Sequence, residues 1–106
     1  MESAHAIKSG ELLQFSPQQL VDCDHQSYGC RGGGTDDAID YYKTSGAVLE
    51  KDYPYVSRDQ MCKYSPAMST GVNVTQRINV RPYSVTQLKA AVAQQPVAAA
   101  VAGSST

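Results

Sequence analysis

Apolar residues recur at helical spacing in several stretches of this chain and alternate loosely in one. Residues 1–9 place Ala4, Ala6 and Ile7 among polar neighbours and run into Gly10, which predicts a helix end closed by glycine. Phe15-Ser16-Pro17-Gln18-Gln19-Leu20 reads as a helix start. Ser16 caps, Pro17 takes the first helical position, Gln19 closes a capping box, and Phe15 staples to Leu20. That helix should reach about Cys23, and a polar, glycine-rich loop follows over 24–34. Thr35 is the expected cap of the next helix. Asp36 and Asp37 suit its first turn, Ala38, Ile39 and Tyr42 form its stripe, and Gly46 ends it. Residues 47–66 look irregular, with Tyr53-Pro54-Tyr55 extended. Val72, Val74, Ile78 and Val80 predict a twisted or bulged strand over 70–80. The cap-and-staple pattern returns at Tyr83-Ser84-Val85-Thr86-Gln87-Leu88, and Val85, Leu88 and Val92 line one helical face to Gln95. Pro96 breaks that helix, and 97–102 is a candidate buried strand. Helices first and strands later give the class α+β.

Composition narrows the function. The 106 residues hold one domain at most, and 42% apolar content permits a modest core. Net charge is −1 with no basic run, which argues against nucleic acid and anionic membrane surfaces as partners. No apolar stretch approaches bilayer length; the longest is Pro96 to Ala102. Met1 to His5 lacks the basic start and apolar centre of a secretory signal. Three cysteines predict one disulfide and one orphan thiol in an oxidising compartment, or three thiols in a reducing one.

The densest chemistry lies in Asp22-Cys23-Asp24 through Tyr28-Gly29-Cys30-Arg31-Gly32-Gly33-Gly34. Two cysteines seven apart flank a polar loop that opens into three glycines. Such a run suits a cross-linked loop whose bare amides can pair with an extended peptide. Two rivals fit less well. Cys30 as a nucleophile has only Arg31 as a nearby cation and no matching histidine. Zinc bound by Cys23, His25, Cys30 and Cys62 fits no usual ligand spacing, so no metal is expected. His5 and His25 read as solvated or structural, and Tyr53 and Tyr55 as packing aromatics with hydroxyls near water. Asn73-Val74-Thr75 is an N-glycosylation acceptor triplet.

In order, several pieces match one family. They are Phe15-Ser16-Pro17-Gln18-Gln19-Leu20-Val21-Asp22-Cys23, Tyr28-Gly29-Cys30-Arg31-Gly32-Gly33, Tyr41-Tyr42 with Gly46, Tyr53-Pro54-Tyr55, Cys62, and Gln95-Pro96-Val97. The chain resembles the papain-like cysteine proteases over nearly its whole length. That resemblance implies a partial two-lobed fold. Residues 1–66 look like part of the helical lobe and 67–106 like the beginning of the β-barrel lobe. It pairs Cys23 with Cys62, closing a loop of about 40 residues worth roughly 3–4 kcal/mol. It leaves Cys30 an unpaired thiol. It assigns Gly32 and Gly33 to the substrate backbone, and Gly34, Thr35 and Ala100 to a wide or ill-defined side-chain pocket.

The resemblance also marks what these residues do not contain. The family's Cys-Gly-Ser/Ala-Cys-Trp/Tyr run does not occur here and is expected just upstream of Met1. The catalytic His and Asn follow that cysteine by about 130–150 residues, beyond Thr106, and the oxyanion glutamine lies upstream. Gln18 and Gln19 belong to a helix start instead. No residue here is assigned a catalytic role, and no cofactor is implied. The leading expectation is an internal fragment of a thiol endopeptidase acting in a lysosome, vacuole or secreted fluid, inactive alone. Its partners would be a peptide or protein substrate, the missing part of the fold, a second copy or other protein chains. The alternative is a short non-catalytic relative that binds a peptide, caps a protease or serves a structural assembly.

Overall fold

A computed structural model describes residues 1–103. Four helices carry it: α1 (Glu2–Ser9), α2 (Pro17–Cys23), α3 (Thr35–Thr44) and α4 (Val85–Gln94). Single 3₁₀ turns occupy Gly29–Arg31, Glu50–Asp52 and Pro66–Met68. The helix starts form much as their sequences dictate. Ser16 and Ser84 each cap through the side chain, accepting from the Gln19 and Gln87 N–H groups at 3.1 Å. Neither capping box closes. The Gln87 side chain accepts from the Arg81 N–H instead, and Gln19 reaches across to another segment. The Ser16 N–H is already taken by the Val48 carbonyl, so Gln19 has nothing to return to. At α3 the cap is Gly34, one residue before the expected Thr35, and no side chain contributes.

Two small apolar clusters hold these pieces together. Phe15, Tyr42 and Ala47 form one, with Leu20, Val72 and Val74 packed against it; Cys23, Val48 and Tyr53 form the other. Between them lies a polar core that the apolar pattern did not announce. Gln18 and Gln19 are both fully buried, 0% exposed. The Gln19 amide donates to the Gly46 carbonyl (2.9 Å) and its oxygen accepts from the Val48 N–H (2.9 Å). Gln18 donates to the Arg58 carbonyl (2.7 Å) and accepts from the Val56 N–H (3.0 Å). Side-chain amides of α2 thus do what a sheet ladder does elsewhere: they satisfy the backbone of two irregular segments, at which burial would otherwise be costly.

Tyr53 departs from its expected place near water. It is buried, and its hydroxyl donates to Asp22 (2.7 Å) and accepts from the Lys63 N–H (3.0 Å). Tyr55 is half exposed.

The two expected strands do not form. Among the described residues the β-pairing is one antiparallel bridge, Phe15 with Leu49. Over 70–80, the alternation is real at its start. Val72 and Val74 turn inward, Ala47 donates to the Val72 carbonyl, and Val74 donates to the Tyr42 carbonyl. Beyond Val74 no neighbouring strand is offered by the described residues, and a ladder needs one. The same holds for 97–102, which carries no regular structure and is mostly exposed. Helix α4 is likewise correct in period but without a packing partner among the described residues: Val85, Leu88 and Val92 are 67%, 42% and 58% exposed. The chain exposes 7767 Å². A folded monomer of its mass exposes about 5,800 Å², so roughly 2,000 Å² here is surplus surface.

Candidate functional site

The site is built around the end of α2. Cys23, in its last turn, is bonded to Cys62 (S–S 2.07 Å, Cα–Cα 4.8 Å). This pairing consumes two of the three cysteines, so neither offers a thiolate to a metal. Asp22, one residue earlier, gathers the returning segment. Its Oδ1 accepts from the Gln60 N–H (2.9 Å) and the Gln18 amide (2.9 Å), and its Oδ2 accepts from Tyr53. Burial raises the Tyr53 hydroxyl's pKa; the Lys63 N–H opposes this and Asp22 adds to it. The tyrosine therefore stays protonated and remains a donor to the carboxylate.

After α2 the chain turns through Asp24, whose buried carboxylate accepts from the Ser27 hydroxyl (2.9 Å). The turn Gly29–Arg31 follows and is closed by the Tyr28 N–H donating to the Gly32 carbonyl (2.8 Å). Asp59 fixes this turn from a distance of 29 residues in sequence, accepting the Cys30 N–H at 2.8 Å. No periodicity or spacing marks Asp59. Its part depends on the disulfide bringing 58–62 alongside the loop.

The glycine run then leaves the turn with Gly32 at φ +117°, a region that side chains rarely enter. At Gly33 the constraint is space, since a Cβ there would collide with the Ser27 side chain. Gly32 and Gly33 are exposed. The Gly33 N–H and C=O have no hydrogen-bond partner among the described residues. A surface strand of two glycines with one free donor and one free acceptor can accept the edge of an extended peptide.

Gly32, Gly33 and Gly34 line a shallow cavity of about 220 Å³ together with Leu20, Asp24 and Ala38. Thr35 is exposed at the start of α3 and is not part of its lining; Ala100 lies far along the chain, exposed, after Pro96. The structure thus brings the three glycines together and leaves Thr35 and Ala100 apart from that cavity.

Cys30 is a free, exposed thiol. Desolvation, and then the carboxylates of Asp59 and Asp22, push its pKa up from the ordinary value. A nucleophilic cysteine needs the opposite, a neighbouring cation that favours thiolate. His5 bonds Ser9 and meets the Phe15 ring edge-on, and neither it nor His25 is among the groups that shift the Cys30 thiol. Asn73 is exposed between the inward-facing Val72 and Val74.

Known proteins with this arrangement are numerous. The family profile described as papain family cysteine protease matches residues 1–106. The senescence-specific cysteine protease SAG12 of Arabidopsis thaliana is 38% identical over 104 residues, covering 97% of this chain and 30% of that protein. Papaya proteinase 4 of Carica papaya is 35% identical over 101 residues, covering 95% of this chain and 29% of its own length. Among solved structures, the proform of the ragweed pollen allergen Amb a 11, a cysteine protease, superposes with a TM-score of 0.80 at 38% identity, over 89% of this chain and 29% of that one. The Carica candamarcensis protease CMS1MS2 gives 0.77 at 33% identity, over 89% of this chain and 44% of that one. The chain thus spans about a third of the length of the curated relatives it matches. The disulfide, the glycine run and the helical packing all fall within that matched span, and the chain belongs to the papain family of cysteine proteases.

Proposed function

We propose that these residues form the substrate-binding rim of a papain-like cysteine endopeptidase and take no part in bond cleavage. The observation that carries this is exposed Gly33, whose N–H and C=O have no partner among the described residues, on a loop pinned from three sides. Pinning matters because a preformed edge spends little ordering entropy when a peptide docks. Gly32 and Gly33 hold the peptide backbone and Gly34 borders the adjoining side-chain cavity, while Thr35 and Ala100 stand outside its lining. Residues 1–66 serve as the helical-lobe portion and 67–106 as the beginning of the β lobe.

The attacking thiolate, the histidine that activates it and the oxyanion donors come from residues outside these 106. Nothing in the sequence matches the Cys-Gly-Ser/Ala-Cys-Trp/Tyr run, and the one free cysteine is held as a thiol. The substrate is a protein or peptide in extended form. The Cys23–Cys62 bond fits an oxidising setting, so the working compartment is lysosomal, vacuolar or extracellular.

Grafting tests this reading. The 106 residues replace the matching stretch of a relative such as SAG12, and hydrolysis of a fluorogenic peptide is followed. The graft should hydrolyse it and lose activity to a thiol-directed inhibitor, whereas the chain by itself should not. Turnover by the chain by itself, or a graft that forms Cys23–Cys62 yet hydrolyses nothing, contradicts the proposal.

A further inference from the structure

The triplet Asn73-Val74-Thr75 has no place in substrate binding, yet its geometry is that of an acceptor. We propose that Asn73 is an N-glycosylation site. Val72 and Val74 pack inward against the Phe15, Tyr42 and Ala47 cluster, and Asn73 between them is exposed, so it faces outward. Asn73 and Thr75 are both exposed, and neither side chain has a hydrogen-bond partner among the described residues. The segment is pinned on either side, by the Ala47 N–H on the Val72 carbonyl and by the Val74 N–H on the Tyr42 carbonyl. The N–H and C=O of Asn73 itself have no partner among the described residues. Upstream, Gly71 opens onto free space, with no atom within 4 Å of where a Cβ would stand. Asn79, the only other asparagine, is followed by Val80-Arg81 and lacks the hydroxyl two residues on.

The transfer balances as follows. The Asn73 Nδ2 attacks the anomeric carbon of a lipid-pyrophosphate-linked oligosaccharide. A C–N bond forms, the anomeric C–O bond to pyrophosphate breaks, Nδ2 gives up one proton, and the lipid pyrophosphate leaves. The Thr75 hydroxyl is the recognition element for the transferring enzyme. The site rests on the compartment proposed above, because the sugar donor is met only on the secretory route.

The test supplies that route, so it reads acceptor competence independently of natural localisation and of proteolysis. The full chain is translated behind a secretory leader in the presence of endoplasmic-reticulum microsomes. A second form carries an added Asn-Gly-Thr tail as a translocation control. The wild-type chain should show one discrete upward shift, removed by peptide N-glycosidase. Asn73→Gln and Thr75→Ala should abolish the shift, and Thr75→Ser should keep it. An unshifted wild type alongside a shifted tail control overturns the proposal, as does a shift that survives Asn73→Gln.

Discussion

Asp22 is the residue on which the candidate site's framework most depends. Removing its carboxylate, as in Asp22→Ala, strips the acceptor from three donors at once: the Gln60 N–H, the Gln18 amide and the Tyr53 hydroxyl. Hydrogen bonds to a charged acceptor contribute about 1.5–3 kcal/mol each. They do not add fully when they share a group, and two of the donors keep a second contact, Gln18 to Arg58 and Tyr53 to Lys63. A net loss of about 3–5 kcal/mol is expected, a large share of the roughly 5–15 kcal/mol that holds a domain folded. Urea unfolding with the disulfide intact measures it. Far-UV circular dichroism is the better probe because the chain contains no tryptophan. Tyr53→Phe should cost about 1–3 kcal/mol by leaving the Lys63 N–H and Asp22 Oδ2 unpaired. The double variant should then lose less than the two singles combined, with a coupling of about 1–2 kcal/mol. A loss below about 1 kcal/mol for Asp22→Ala, or coupling near zero, would refute the assignment of Asp22 as the organising acceptor.

The remaining predictions concern thiols and surfaces. Cys23→Ser with Cys62→Ser should lower stability by about 4 kcal/mol, given a sequence separation of 39, and reductant should have the same effect on the wild type in urea. Because the folded Cys30 pKa is raised, its thiolate is scarcer at a given pH than in the unfolded chain. Iodoacetamide should therefore modify native Cys30 more slowly near pH 8 than it modifies the chain in urea, and the gap should close as pH climbs past the raised value. The surplus surface of roughly 2,000 Å² exceeds the roughly 800 Å² that each partner gives to a standard interface, so the isolated chain should self-associate in sedimentation velocity. Leu88→Glu with Val92→Glu should shift it toward monomer, and a clean monomer of the wild type with a cooperative melt would count against the unpartnered-face reading.

Local signals in this sequence translated well wherever the cause was itself local. Pro17 behind Ser16 sets α2, Pro96 follows the end of α4, and Gly10 closes α1 in the left-handed region. The disulfide and the glycine run were legible through family resemblance, since spacing leaves several pairings open. What stayed hidden has a common physical reason: it depends on long-range contacts. Gln18 and Gln19 look like solvent-facing helix residues by composition, yet they are the largest fully buried side chains, because irregular backbone about 30–40 residues away needs their amides. Asp59 reads as a loop carboxylate and turns out to anchor the Cys30 turn. The alternation over 70–80 was sound in its first half, where the helices offer a surface, and failed where no neighbouring strand exists among the described residues.

In the function proposed above, Gly33 presents a backbone edge to substrate. Steady-state kinetics of the grafted protease against peptides N-methylated one residue at a time tests it most directly, because methylation deletes one backbone donor and leaves every side chain in place. At one position on the acyl side of the cleaved bond kcat/KM should fall by about tenfold or more, the equivalent of one lost hydrogen bond of roughly 1.4 kcal/mol with added steric blocking. A flat profile across that side, in a graft that cleaves the unmethylated peptide, would contradict it.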